Sequence, residues 1–338
     1  MSQSAHPPKK ILVIALDNLG DAVMASAILR PLSTLFPQAN IGLWVKKYAA
    51  DLFVDHSLLD HLHAADPFWD KSPGVAKGGA LAFAKVLSEI RKTKYDLAVV
   101  LNAEWRRSVC AELAGIPMRI GFNRRKSGPF LTHSFDAPRE LQHFVDDHRT
   151  LLERYFKKVI PVDHCLPRIE LTAEDERLWS QLSQEHNIRN GEYTVLHTFS
   201  GDEDKNWPLS CWVELVERRL ANSPDEKFVI LCGPGEEVKL EPYRQRLLRS
   251  GVQLMPAPSL KLMKGLLAHA RLLMGGDSGP GHVAAALGTP VLSLFGPTHP
   301  ARSAPKGHGA IKIVNKNPLR SLLVEDVLAE MASNFSHV

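Results

Sequence analysis

Long apolar runs are missing from this sequence. Nowhere in its 338 residues do about 18 uninterrupted apolar residues occur, which excludes a membrane-spanning helix. The amino-terminal "MSQSAHPPKKILVIAL" has too short an apolar part, and no cleavage-like site, for a signal peptide. The protein is therefore expected to work in the cytoplasm. Cysteine is scarce as well: Cys110, Cys165, Cys211 and Cys232 are widely spaced with no C-x-x-C pair, which argues against a zinc site and a disulfide framework. Charge of one sign is not concentrated either. The 41 Lys and Arg against 37 Asp and Glu leave a net +4, and no basic run is dense enough to suggest nucleic acid. The first strand-to-helix turn also lacks G-x-G-x-x-G, so it does not carry the dinucleotide fingerprint of a dehydrogenase.

What is present fits a globular α/β protein. Hydrophobic residues make up 44% and charged residues 23%, and the length favours two domains of roughly 100–200 residues each. "ILVIAL" (11–16), "IGLWV" (41–45) and "DLAVVL" (96–101) are short continuous apolar runs, as expected of buried parallel strands. A helix is predicted between the first two, from near Asp21 to about Phe36, and "ALAFAKVLSEIRKTK" (80–94) is predicted as another. A second series, "YTVLHT", "KFVILC", "RLLMG" and "PVLSLF", alternates with helices around 210–220, 236–249, 259–270 and 280–287. The alternation predicts doubly wound sheets in two similar halves, 1–165 and 166–338, with a linker near 163–175. The last helix, "VEDVLAEMASN", can pack back on the first half. The first half holds 22 Lys and Arg against 17 Asp and Glu, the second 19 against 20. An anionic partner would thus meet the first half, solvated surface charge being the alternative.

In open α/β sheets ligands bind beyond the carboxyl ends of strands, which directs attention to three turns. In "ALDNLGDAV", Asp17 or Asp21 stands at a helix start, where either could serve as a cap or point across the strand ends. In "LHTFSGDEDKNWP" (196–208), the hydroxyls of Thr198 and Ser200 together with Lys205 could grip a diphosphate, against the alternative of a solvated loop lysine. The third turn belongs to "MGGDSGPGHVAAALGTPVLSLFGPTHP", 27 residues with six glycines, four prolines and two histidines. Its small residues expose backbone N–H groups at a helix start that carries partial positive charge, so a diphosphate could sit there without a metal. His282 could donate to a phosphate or be a buried, satisfied histidine. Asp277, repelled by phosphate, would order the loop.

Together, "ILVIALDNLGDAVMASAILRPLSTLFPQANI", "DKNWP" and "GGDSGPGHVAAALGTPVLSLFGPTHP" resemble glycosyltransferase family nine, the heptosyltransferases that build the lipopolysaccharide inner core. The resemblance spans nearly the whole chain. It implies the GT-B fold, two Rossmann-like domains facing each other across a cleft, with the acceptor bound by the first and the nucleotide sugar by the second. It implies an ADP-heptose donor, no further cofactor, no metal, and transfer with inversion. The family's catalytic aspartate falls on Asp21 and its phosphate lysine on Lys205. The last motif places Asp277, Ser278, Gly279 and His282 at the donor, and a ribose-binding acid falls on Glu236 or Glu237. Where many members carry Arg or Lys, this sequence has Ala15.

Asp17, Asn18, Arg106, Arg107, Arg124 and Arg125 are candidates for the acceptor side. Arg119, Arg124, Arg125 and Lys126 cluster within eight residues. The implied acceptor is an acidic, lipid-linked glycan, so the same cluster would bring peripheral contact with the inner face of the inner membrane, a solvated loop being the alternative. A transferase using another nucleotide sugar, a nucleotide-sugar epimerase and a non-catalytic nucleotide-sugar-binding protein remain as competing readings.

Overall fold

The computed structural model describes residues 7–70, 78–101 and 104–335. Two compact units divide the chain at Glu170 and Leu171. The first contains β1 (Lys10–Ala15), α1 (Leu19–Ala25), α2 (Leu29–Leu35), β2 (Asn40–Val45), β3 (His61–Ala64), α3 (Ala80–Thr93), β4 (Leu97–Val100), α4 (Trp105–Leu113), β5 (Met118–Phe122), β6 (His133–Phe135) and α5 (Phe144–Phe156). Its six strands are all parallel in the order β3-β2-β1-β4-β5-β6. β1 lies between β2 and β4 with Ile11 to Ala15 buried, which is why its sequence is apolar throughout rather than alternating.

The single helix expected from Asp21 to Phe36 is interrupted by a 3-10 turn over Ser26–Ile28. Pro31 has no N–H to give to the carbonyl four residues back, so an unbroken helix loses a bond there. Ser26 reinforces the break, its hydroxyl donating to the Val23 carbonyl at 2.7 Å and accepting from the Arg168 N–H at 3.0 Å.

The second unit contains α6 (Ala173–Glu185), β7 (Tyr193–His197), α7 (Leu209–Asn222), β8 (Lys227–Cys232), α8 (Glu241–Arg249), β9 (Gln253–Pro256), α9 (Leu260–Ala268), β10 (Leu272–Gly276), α10 (Gly279–Leu287), β11 (Val291–Phe295), α11 (Pro300–Ser303), β12 (Ile311–Asn315) and α12 (Val324–Phe335). These strands too are all parallel, ordered β12-β11-β10-β7-β8-β9. Counted from its own first strand, this is the Rossmann order 3-2-1-4-5-6, which the first unit shares. In each sheet the chain reverses its direction of travel once, between β1 and β4 and between β7 and β10. A crevice opens at such a switch point, beyond the carboxyl ends of those two strands.

The last helix, α12, contributes to the core of its own unit. Val324, Val327, Met331 and Phe335 are buried with the core side chains of α7 and β11, and each fully buried apolar side chain contributes roughly 1.5–3 kcal/mol. Among the described residues the cysteines form no disulfide; Cys110, Cys165 and Cys232 are buried and Cys211 is half-buried. Among the described residues no helix is long and apolar enough to cross a membrane.

Candidate active site

At the switch point of the first unit, the chain leaves β1 through residues 16–18 and enters α1. Asn18 is the N-cap but makes no side-chain cap. Asp21, in the first turn, instead accepts a hydrogen bond from the Asn18 N–H, which is the acidic half of a capping box. Asp17 does no capping. Its two carboxylate oxygens accept from Arg107 Nη1 at 2.6 Å and Nη2 at 2.5 Å, a bidentate pair that ties the β1 turn to α4. Asp17 and Arg107, expected as separate acceptor contacts, are thus engaged with each other.

Burial, and after it the Asp17 carboxylate, push the Asp21 carboxyl up from 3.8 to about 6. Arg107, the Asn18 N–H and Lys46 pull the other way. A carboxylate so placed is still ionised at neutral pH yet is a better proton acceptor than an ordinary aspartate. Lys46 follows β2 directly. It is 2% exposed and ion-paired with Asp70, and it supplies a buried positive charge in a sheet whose β1 ends on Ala15.

A cavity of about 210 Å³ is lined by Asp17, Asp21, Glu104, Arg107, Arg124 and Arg125. Phe122, Phe144, Asp147 and His148 complete much of its wall. Arg124 reaches it from the turn after β5, 3.5 Å from the Asp147 carboxylate. That turn is held by buried Ser127, whose hydroxyl donates to the Phe122 carbonyl at 2.9 Å and accepts from the Arg124 N–H at 3.2 Å. Arg125 and Lys126 consequently adopt left-handed backbone, φ 45° and 63°, which non-glycine residues seldom do.

Two other arginines of the basic segments go elsewhere. Arg119 lies in β5 and donates to the carbonyls of Phe130 and Ile116 at 2.9 and 2.8 Å, so it braces the fold. Arg106 pairs with Glu104, lies over the Trp105 ring and lines a separate apolar groove with Phe83 and Leu113. Successive residues on a helix point about 100° apart, and Arg107 has the inward direction.

In the second unit the switch point joins the ends of β7 and β10. Trp207 anchors the loop between β7 and α7, being 2% exposed, donating Nε1–H to the Leu322 carbonyl at 2.9 Å and meeting Trp212 edge-on at 5.0 Å. Asn206 closes the same loop by accepting from the Ser200 N–H at 2.7 Å. Lys205 is thereby aimed at Asp277, with Nζ to Oδ2 at 2.9 Å. Gly276 makes the approach possible, since a Cβ there would lie 2.9 Å from the Lys205 carbonyl oxygen.

His282, one turn into α10, is buried and pushed down to about 4 by that burial, with Asp277 raising it and Lys205 lowering it. It is neutral at physiological pH. Gly279 opens α10, and Ser278 is its N-cap without a side-chain cap bond. Thr198 Oγ1 is buried and finds no hydrogen-bond partner among the described residues.

Ser200 is turned into its own loop, its hydroxyl donating to the Asp202 carbonyl at 2.8 Å. Glu236 and Glu237 stand after β8, the strand beside β7. Glu236 accepts from the Gly233 N–H at 2.6 Å, whereas Glu237 Oε2 is buried without a partner among the described residues. Sequence reasoning passed over Lys46, Glu104, Asp147 and His148. Of these, Lys46 carried a usable signal, a lysine directly after a predicted strand.

Residues 83–328 match the model of glycosyltransferase family 9 (heptosyltransferase). The chain is similar to lipopolysaccharide heptosyltransferase 1 of Campylobacter coli, 23% identical over 310 residues that cover 87% of this chain and 86% of the relative. Among solved structures, it is similar to the glycosyl transferase family 9 protein from Veillonella parvula DSM 2008, with a TM-score of 0.83 and 18% identity across 98% of each chain. It is also similar to E. coli heptosyltransferase WaaC with ADP-2-deoxy-2-fluoro heptose, with a TM-score of 0.76 and 20% identity across 96% of this chain and 99% of that one. At these identities the two structures speak for the fold.

Proposed function

The chain belongs to glycosyltransferase family 9, the heptosyltransferases, and from that premise we propose a specific reaction for it. It transfers heptose from ADP-L-glycero-D-manno-heptose to an acidic, lipid-linked acceptor of the lipopolysaccharide inner core, with inversion and without a metal. The observation that carries this reading is Asp21, a carboxylate raised to about 6 in a cavity that also presents Arg124 and Arg125. A base and a cationic rim in one cavity suit an acceptor that is both a nucleophilic hydroxyl and an anion.

Asp21 takes the proton from the acceptor hydroxyl as its oxygen forms a bond to the anomeric carbon. The bond from that carbon to the diphosphate breaks on the opposite face, and ADP departs with the electron pair. A single displacement inverts the configuration. Charge gathering on the leaving diphosphate is met by the Lys205 ammonium, which Asp277 holds in place, and by the N–H groups that open α10. Thr198 Oγ1, His282 and Glu237 are the remaining polar groups offered to the nucleotide sugar. The acceptor's lipid anchor keeps the enzyme at the cytoplasmic face of the inner membrane, with the arginines toward the anionic surface.

The reading is tested by incubating purified protein with ADP-heptose and truncated inner-core acceptors, for wild type and Asp21→Asn. Acceptor-dependent ADP release by wild type and its loss in the variant are expected. Equal turnover by both would return Asp21 to the role of a helix cap.

A further inference from the structure

His197 is the last residue of β7 and plays no part in the reaction described above. It is 7% exposed and lies directly opposite Gly275 of β10 in the parallel register. The two strands can carry this histidine only because residue 275 has no side chain, since a Cβ there would lie 2.9 Å from the His197 carbonyl oxygen and 3.2 Å from its Cβ. Burial pushes the imidazole down to about 4, so it is neutral in working conditions and contributes hydrogen bonds rather than charge.

Its partner is Ser278. Serine at an N-cap ordinarily turns its hydroxyl onto the N–H two or three residues on, and here Pro280 leaves Gly281 as the donor available for that bond. Ser278 makes no such cap. Its Oγ lies 3.0 Å from His197 Nδ1 and 3.2 Å from the Gly276 carbonyl. With the hydroxyl proton given to Gly276, the imidazole donates Nδ1–H to Oγ, and both polar groups are satisfied without touching the helix.

We infer that His197 is a positioning residue for the donor: by holding the Ser278 hydroxyl off the first turn of α10, it keeps the Gly281 N–H open for a diphosphate. This rests on the assignment of the donor to the α10 terminus. Without the imidazole, Ser278 rotates to cap Gly281 and competes with phosphate for that N–H.

The test is ADP binding to the full chain by titration calorimetry, with heptosyl transfer measured alongside. His197→Leu should weaken ADP roughly 3–10-fold, the equivalent of a typical serine cap. His197→Asn, whose amide can stand in for Nδ1–H, should stay within about 2-fold of wild type on the same ground. In a Ser278→Ala background, His197→Leu should add no further loss, because no hydroxyl remains to be held; this coupling separates a contact made through Ser278 from general damage to the fold. The inference is overturned if His197→Leu binds ADP as wild type does, if its loss persists in full beside Ser278→Ala, or if Asn is as harmful as Leu. Failure of wild type itself to bind ADP would overturn the donor assignment instead.

Discussion

Replacing Asp21 by Asn should abolish transfer and at the same time stabilise the first unit. Asn keeps the shape and can still accept from the Asn18 N–H, so the substitution removes the charge and the basicity while leaving the half cap in place. Loss of a positioned base costs roughly 10²–10⁴ in rate. The stability effect follows from the same shift. With the Asp21 carboxyl raised from 3.8 to about 6 in the folded protein, the ionised form is disfavoured on folding, by about 3 kcal/mol at most at 1.36 kcal/mol per unit. Screening at this partly exposed site brings that to roughly 1–3 kcal/mol.

The sign is opposite to that of an ion-paired aspartate. A raised folded value means that the penalty is complete above about 6, shrinks as pH falls from there toward 3.8, and is absent below it. Asp21→Asn should therefore raise the melting temperature at pH 7.5, by about 2–4 °C per kcal/mol for a unit of this size, and the advantage should vanish near pH 3.8. Thermal unfolding at both pH values, paired with a transfer assay, reads the two effects together. A variant that loses activity and also melts earlier at pH 7.5 would show that Asp21 holds the fold rather than the chemistry.

Three further outcomes are expected. Asp17→Asn removes the carboxylate that raises Asp21 and frees Arg107 toward it, so the acid limb of kcat/KM should move below 6; a limb that stays or moves upward contradicts this coupling. Lys205→Ala deletes a charge-assisted contact and leaves Asp277 facing the diphosphate, so ADP affinity should fall roughly 10–100-fold with turnover, measured by calorimetry and steady-state kinetics; an unchanged donor KM would remove Lys205 from the site. Arg124→Gln combined with Arg125→Glu should raise acceptor KM most at low ionic strength and leave ADP affinity alone. Gln is chosen at 124 because a glutamate there would meet the Asp147 carboxylate, now 3.5 Å from the guanidinium.

The central strands were readable because burial on both faces makes them continuously apolar, as in "ILVIAL" and "KFVILC". The rim strands were not. β3 "HLHA", β6 "HSF", β9 "QLMP" and β12 "IKIVN" are sheet edges, short and part-exposed, so their composition is mixed and no period stands out. β5 "MRIGF" runs straight into a basic segment, so Arg119 reads in the sequence as part of a charge cluster although it lies in the strand and donates to the Phe130 and Ile116 carbonyls.

The candidate sites were legible in a particular way. Chemistry in this fold class gathers after strands, so position marks the turns that carry Asp21, Lys205 and Asp277, while only the resemblance to the family chooses among the residues of each turn. Their partners could not. Nothing local distinguishes Arg106 from Arg107, and only the helix that carries them turns one to Asp17 and the other to the apolar groove. Lys46 and His197 were within reach of the same rule, one following a strand and the other ending one.

Heptosyl transfer by the purified chain is the most direct test of the account. ADP-heptose, truncated inner-core acceptors and excess chelator would be combined, with ADP release quantified and the anomeric configuration of the product read by NMR. One ADP should appear for each glycosidic bond, only when acceptor is present, with the configuration inverted and the chelator without effect. Conversion of the donor in the absence of acceptor, a strict need for a divalent ion, or a product of retained configuration would contradict it.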